Sequence, residues 1–190
     1  MRLVLLGAPG SGKGTQGRAL AERFGVRHIS TGDLLRANIA TGTERGELAA
    51  PYVERGELVP DDVMLQIAGN AAVEAAKEGG YVLDGFPRTL EQAERAYEAA
   101  VPADVAAHAV VYLAVPDDVA RERLATRAFA GRVDDNDPAV IERRLRVFHE
   151  QTEPLLEFYR DRGILVPVDA SPPPDEVTTA MLEAVRSLRD

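Results

Sequence analysis

Apolar, β-branched runs recur at Leu3–Leu6, Val26–Ile29, Tyr81–Leu83, Ala109–Val115 and Ile164–Val168, and nearly every interval between them carries apolar residues at helical spacing. Short continuous runs suit strands buried on both faces, as in a parallel sheet covered by helices above and below. The alternation predicts an α/β protein with three layers, α/β/α, around a five-stranded parallel sheet. Helices are expected near Lys13–Phe24, Gly32–Ala40, Thr43–Arg55, Asp61–Ala76, Leu90–Ala99, Asp117–Arg127, Pro138–Arg160 and Asp175–Leu188.

Two intervals are not plain crossovers. Three helical segments separate the second and third strands, too many for one crossover, so about 30–59 is expected to be a helical insert. Residues of about 126–137 are expected to be a short polar loop, holding Gly131 and Asp134-Asp135-Asn136-Asp137. The aspartates lack the alternating ligands and terminal glutamate of a calcium loop, and Asp137 before Pro138 has the form of a helix start. No repeat or linker divides the chain, so a single domain spanning 1–190 is expected.

Composition narrows the function. With 190 residues and 45% hydrophobic content the chain can bury a core, and no apolar run approaches the roughly 18 residues of a membrane helix. There are no cysteines, which excludes disulfides and thiolate zinc sites and suits a cytoplasmic protein. A net charge of −9 argues against nucleic acid and anionic membranes as partners, because both require a basic surface. Of 22 basic residues only Lys13 and Lys77 are lysine. Lys13 therefore stands out, in a place where a compact ammonium serves chemistry.

That place is Gly7-Ala8-Pro9-Gly10-Ser11-Gly12-Lys13-Gly14-Thr15, which leaves the first strand and opens the first helix. Glycines let successive N–H groups point inward and the helix terminus adds partial positive charge, so the segment can enclose a polyphosphate. This is a P-loop of the NTPase kind. Gly10, Ser11, Gly12, Lys13, Gly14 and Thr15 are the expected ATP contacts, with Lys13 bridging the β- and γ-phosphates and Thr15 helping to hold Mg2+. Gly14 occupies the position usually held by a hydroxyl residue, which arrives one place later. Asp84, ending the third strand, can reach the same metal, through water. His28, His108 and His149 show no ligand spacing, and Phe148 and Tyr159 are expected in the core.

Four more motifs come in order along the chain: Ser30-Thr31-Gly32-Asp33-Leu34-Leu35-Arg36, Asp84-Gly85-Phe86-Pro87-Arg88-Thr89, Gln92, and Gly131-Arg132-Val133-Asp134-Asp135-Asn136. With the phosphate loop they closely resemble the adenylate kinase family, in its short-lid form, from Leu3 to at least Val168. The resemblance implies ATP, AMP and ADP as partners, a monomer, and the reaction ATP + AMP = 2 ADP. It implies Thr31 and Gln92 on the adenine of AMP, Arg36 and Arg88 on its phosphate, and Glu57, Leu58 and Val59 lining the base pocket. It also implies that Gly85, Phe86 and Pro87, in the turn that carries Arg88, are among the residues that bind AMP. Arg123, Arg127, Arg132 and Arg144 correspond to the cluster that closes over the phosphates, Arg127 mainly on ATP and Arg132 and Arg144 toward AMP. The carbonyl of Pro172 takes the place that touches the ATP adenine. Lys13, Arg88, Arg123, Arg132 and Arg144 are the implied catalytic residues.

The residues support this independently. Arg123 and Arg127 lie four apart in a helical stretch and face one way, and phosphoryl transfer needs alignment and charge stabilisation rather than a protein nucleophile. Two features differ from the wider family: the lid is short and lacks a zinc-binding cysteine set, and Pro172 stands where glycine is common. A uridylate or cytidylate kinase shares the loop and the Gly-Phe-Pro-Arg turn but tends to have Ala and Asn where this chain has Thr31 and Gln92. A P-loop switch, the alternative from another class, has no use for a second arginine-lined site.

Overall fold

A computed structural model describes residues 1–129 and 137–187, with the side chains of 127–129 left aside. In chain order the elements are β1 (Arg2–Gly7), α1 (Lys13–Phe24), β2 (Arg27–Ser30), α2 (Thr31–Ala40), α3 (Glu44–Arg55), α4 (Asp61–Lys77), β3 (Tyr81–Asp84), α5 (Leu90–Ala100), β4 (Ala109–Ala114), α6 (Asp117–Phe129), α7 (Pro138–Val147), α8 (Leu155–Arg160), β5 (Leu165–Asp169) and α9 (Pro174–Arg186). The expected strands and all helices but one are present, with ends moved by a residue or two.

All five strands are parallel, in the order β2-β3-β1-β4-β5. Chain order therefore reverses at β1, whose neighbours are β3 and β4. A crevice opens where crossovers diverge to opposite faces, at the carboxyl edge of such a sheet. That edge carries Gly7, Ser30 and Asp84, Ser30 standing directly opposite Asp84 and Asp84 opposite Leu5.

Side-chain alternation assigns the faces. Leu3 and Leu5 of β1 pack with Val82, Val111 and Leu113 against Leu20 of α1 and Val177, Met181 and Val185 of α9. Val4 and Leu6 point the other way, with Ile29, Leu83 and Val110, toward Met64 and Ile67 of α4 and Leu155, Phe158 and Tyr159 of α8. Tyr159 belongs to this core as expected, and burial lifts its hydroxyl pKa above the ordinary range. A smaller cluster joins Ala8, Ala120, Leu124, Ile141, Leu145 and Phe148, tying the phosphate loop to α6 and α7.

Gly17 of α1 explains how closely α1 lies on the sheet: a methyl there would stand 2.4 Å from Nε2 of His28. Burial pushes the His28 pKa down, consistent with a neutral ring under the helix.

One expected element is corrected. Pro138–Arg160 is not a single helix: α7 ends at Val147, a π-helical turn covers Phe148–Thr152, and α8 begins at Leu155. Pro154 supplies no N–H, so the carbonyl ladder is interrupted, and Glu153 N instead donates to Phe148 O at 2.9 Å, a five-residue step. At the other end Asp137 caps α7 as foreseen, accepting from Ala139 N at 2.8 Å. Pro174 is the first residue of α9.

The π turn is anchored by His149, whose Nδ1 meets Glu153 Oε2 at 2.9 Å and whose Nε2 meets Asp117 Oδ1, at the start of α6, at 3.0 Å. The Glu153 hydrogen bond and then Asp117 raise its pKa. Because the folded value lies above the unfolded one, the imidazolium's contribution is complete below the ordinary histidine range and vanishes as pH climbs through the raised value. The stability lost in His149→Gln, measured by urea unfolding, is therefore expected to be larger at about pH 6 than at about pH 9. Equal losses at both would show that the ring's charge is immaterial.

Candidate active site

The carboxyl edge of the sheet opens into a cleft of about 880 Å³. One end is the phosphate loop. Gly12, at φ 94°, is the N-cap of α1, and no side chain caps that terminus. A positive φ here suits glycine, and the uncapped first turn leaves N–H groups directed at the cleft. Lys13, half-buried, folds back across the loop: its Nζ donates to Gly7 O at 2.7 Å, Ala8 O at 2.9 Å and Ser11 Oγ at 3.5 Å. Gly10, Ser11, Gly14 and exposed Thr15 line the same end, and a methyl on Gly14 would stand 3.8 Å from Asp84 Oδ2.

Arg123 and Pro172 complete this end. Arg123 donates from Nη1 to Ala170 O at 2.8 Å and from Nη2 to Ser171 O at 3.0 Å, so it holds the strand-to-helix loop that presents Pro172. Gln16 supports that loop from below: its Nε2 donates to Pro174 O at 2.8 Å, and its Oε1 accepts from Thr178 Oγ1 at 2.7 Å. Sequence reasoning missed Gln16, although a fully buried amide next to a phosphate loop requires partners.

The opposite end is arginine-rich. Arg88 leaves the turn after β3 with Nε donating to Gly85 O at 2.7 Å. Gly85, at φ 88°, allows this turn to pass Thr31, where a methyl would stand 2.3 Å from the hydroxyl. Arg36 and Arg144 border the cleft with Arg88. Burial first, then the charge of Arg144, and beyond the offset from Asp84 that of Arg36, lower the Arg88 pKa. Three like charges around one space, with Asp84 as a partial offset, form a site suited to a dianion. Arg36 also pairs with Asp33 one helical turn earlier.

Several expected residues sit differently from a simple pocket wall. Thr31 is wholly buried, donating from Oγ1 to Asp84 O at 3.0 Å, and the cap of α2 is Ser30. Thr31 and Phe86 do not line the cleft; Gly85, Pro87, Glu57, Leu58, Val59 and Gln92 do. The Glu57 carboxylate is held by Arg55, which keeps its pKa low, and by Arg143 of α7 at 3.4 Å. Gln92 is buried in α5, not solvated. Of the lid expected at about 126–137, residues 130–136, with Arg132, and the Arg127 side chain lie outside the described residues.

Thr152 was also missed. At the end of the π turn its hydroxyl donates to Arg88 O at 2.8 Å, so the segment after the lid clasps the turn that carries Arg88. No periodicity in the sequence signals a π turn, so this contact had no sequence cue.

A phosphate loop alone needs one nucleotide; a second basic end in the same cleft is suited to a second phosphate-bearing group, and the class so defined is the P-loop phosphotransferases. Comparison with known proteins resolves the class further. A family model described as adenylate kinase matches residues 5–164. The chain is 42% identical to adenylate kinase of Thermobifida fusca over 98% of its length and 99% of that protein's. It is 45% identical to adenylate kinase 1 of Synechocystis over 97% and 96%, and 46% identical to adenylate kinase of Parvibaculum lavamentivorans over 94% and 88%. The chain belongs to the adenylate kinase family, and it is a nucleoside-monophosphate kinase.

Proposed function

We propose that the chain catalyses reversible, Mg2+-dependent transfer of the γ-phosphoryl group from ATP to AMP, giving two ADP, as a cytoplasmic monomer that balances adenine nucleotides. The observation that carries the reading is a single cleft with the phosphate loop at one end and Arg36, Arg88, Arg144 and Gln92 at the other. ATP lies along Gly10–Thr15 with its base toward Pro172, and AMP lies under the insert of about 30–59, between Gln92 and the arginines.

The Thr15 hydroxyl and the Asp84 carboxylate are hard oxygen donors beside the loop, a set that fits Mg2+ held mainly through substrate phosphates. When bound, the ion neutralises charge on the β- and γ-phosphates. The chain's own groups do the rest. Lys13 follows the γ-phosphoryl group, Arg88 and Arg144 align the attacking AMP oxygens, and Arg123 keeps the donor loop in place. The insert and the lid, with Arg127 and Arg132, close to exclude water and protect ATP from hydrolysis.

The test is a coupled assay with Mg·ATP and AMP, GMP, CMP or UMP, and a control without acceptor. Strong preference for AMP is expected. Preference for CMP or UMP would overturn the base assignment, and hydrolysis without transfer would return the protein to the switch alternative.

A further inference from the structure

Gln92 is completely buried, so its amide orientation depends on its partners. Oε1 accepts from the backbone N–H of Arg88 at 2.8 Å, and Nε2 donates to Asp61 Oδ1 at 2.5 Å. Both partners have fixed polarity: a backbone N–H only donates and a carboxylate only accepts. Turning the amide by half a turn would set donor against donor and acceptor against acceptor at once. Asp61, the first residue of α4, also accepts from Thr89 Oγ1 at 3.3 Å, while Thr89 caps α5 by accepting from Gln92 N at 3.1 Å.

A carboxamide makes up to two donations and two acceptances, and these two bonds leave one N–H and one lone pair. Gln92 borders the cleft, so that pair is what a base can meet. Adenine and cytosine present an exocyclic amino donor beside a ring-nitrogen acceptor. Guanine and uracil present a carbonyl acceptor beside a ring N–H donor, the reverse order. A side amide free to turn can match either order; a locked one matches only the first.

We infer that Asp61 is a specificity-determining positioning residue: by fixing the Gln92 amide it makes the acceptor site reject guanine and uracil monophosphates on hydrogen-bond polarity, leaving cytosine to be rejected by size and fit. The inference rests on the proposal that AMP binds beside Gln92. Asp61 acts through Gln92 and touches no substrate. It also explains why a half-buried carboxylate joins α4 to α5, where a hydrophobic contact would otherwise suffice to hold two helices together.

The experiment measures kcat/KM for AMP, GMP, UMP and CMP with Mg·ATP in the unaltered chain, Asp61→Ala, Asp61→Asn and Thr89→Ala. In Asp61→Ala the AMP:GMP and AMP:UMP ratios should fall about tenfold, the worth of one hydrogen bond to a charged acceptor, while AMP:CMP holds. Asp61→Asn is isosteric and can face Gln92 with either end of its own amide. It should shift the same two ratios in the same direction, and it carries the test if the alanine variant does not fold. Thr89→Ala loosens the α5 cap without freeing Gln92, so it should lower stability and leave all three ratios in place.

Ratios that stay fixed in both Asp61 variants, or that all fall together, would overturn the inference and leave Asp61 a structural tie. An unaltered chain without preference for AMP would instead remove the base reading itself, before any variant is compared.

Discussion

Lys13→Ala lowers turnover by about a thousandfold while the protein stays folded. The expected size comes from removing one preorganised cation from a phosphoryl group that carries charge on its equatorial oxygens, a loss of the order of single oxyanion or arginine contributions. The bonds from the Lys13 ammonium to the carbonyls of Gly7 and Ala8 lie within its own loop, so losing them is expected to leave the packing of sheet and helices in place. Each such bond, made by a charged donor, is worth about 1.5–3 kcal/mol net. Single-turnover transfer from Mg·ATP, with urea unfolding as the companion measurement, checks both halves. Near-normal turnover in a folded variant would take Lys13 out of the chemistry.

Arg88→Met should lower turnover by a similar factor, about a thousandfold, with stability maintained. Arg88 is half-buried between Arg144 and Arg36, and burial and both neighbours disfavour its charge, with Asp84 as the partial offset. Methionine keeps most of the stem but removes both the charge and the Nε–H donated to Gly85 O, so relieved repulsion offsets the lost bond and the unfolding midpoint should hold as activity collapses. This is the signature of a group kept for an anion rather than for the fold. A variant that loses stability and activity in proportion would mean that Arg88 is chiefly a structural residue.

The sheet was legible because a strand covered on both faces must be apolar throughout, and Leu3–Leu6, Tyr81–Leu83 and Ala109–Val115 meet that demand without interruption. The phosphate loop was legible because backbone at positive φ and an uncapped helix start restrict the residues that can stand there, as at Gly12. What escaped is of another kind. Gln16, Asp61 and Thr152 owe their importance to partners 158, 31 and 64 residues away, in Pro174, Gln92 and Arg88. Local pattern carries no trace of such pairings. The break at Phe148–Thr152 escaped for a related reason: apolar spacing continued through it, and Pro154 alone marked the fault. Thr31 shows the converse, since its position in the motif was clear but not that its hydroxyl would be spent on Asp84 O.

The π turn has a further meaning. Each added helical residue rotates the downstream chain by about 100°, so the extra residue sets the angular phase of everything beyond it. As built, Thr152 reaches the Arg88 carbonyl while Leu155, Phe158 and Tyr159 still meet the sheet. A one-residue deletion would restore regular winding and improve the local hydrogen bonds, yet swing Thr152 out of register with Arg88. Here the chain tolerates exchange of letters more readily than loss of one: its length is part of the active site.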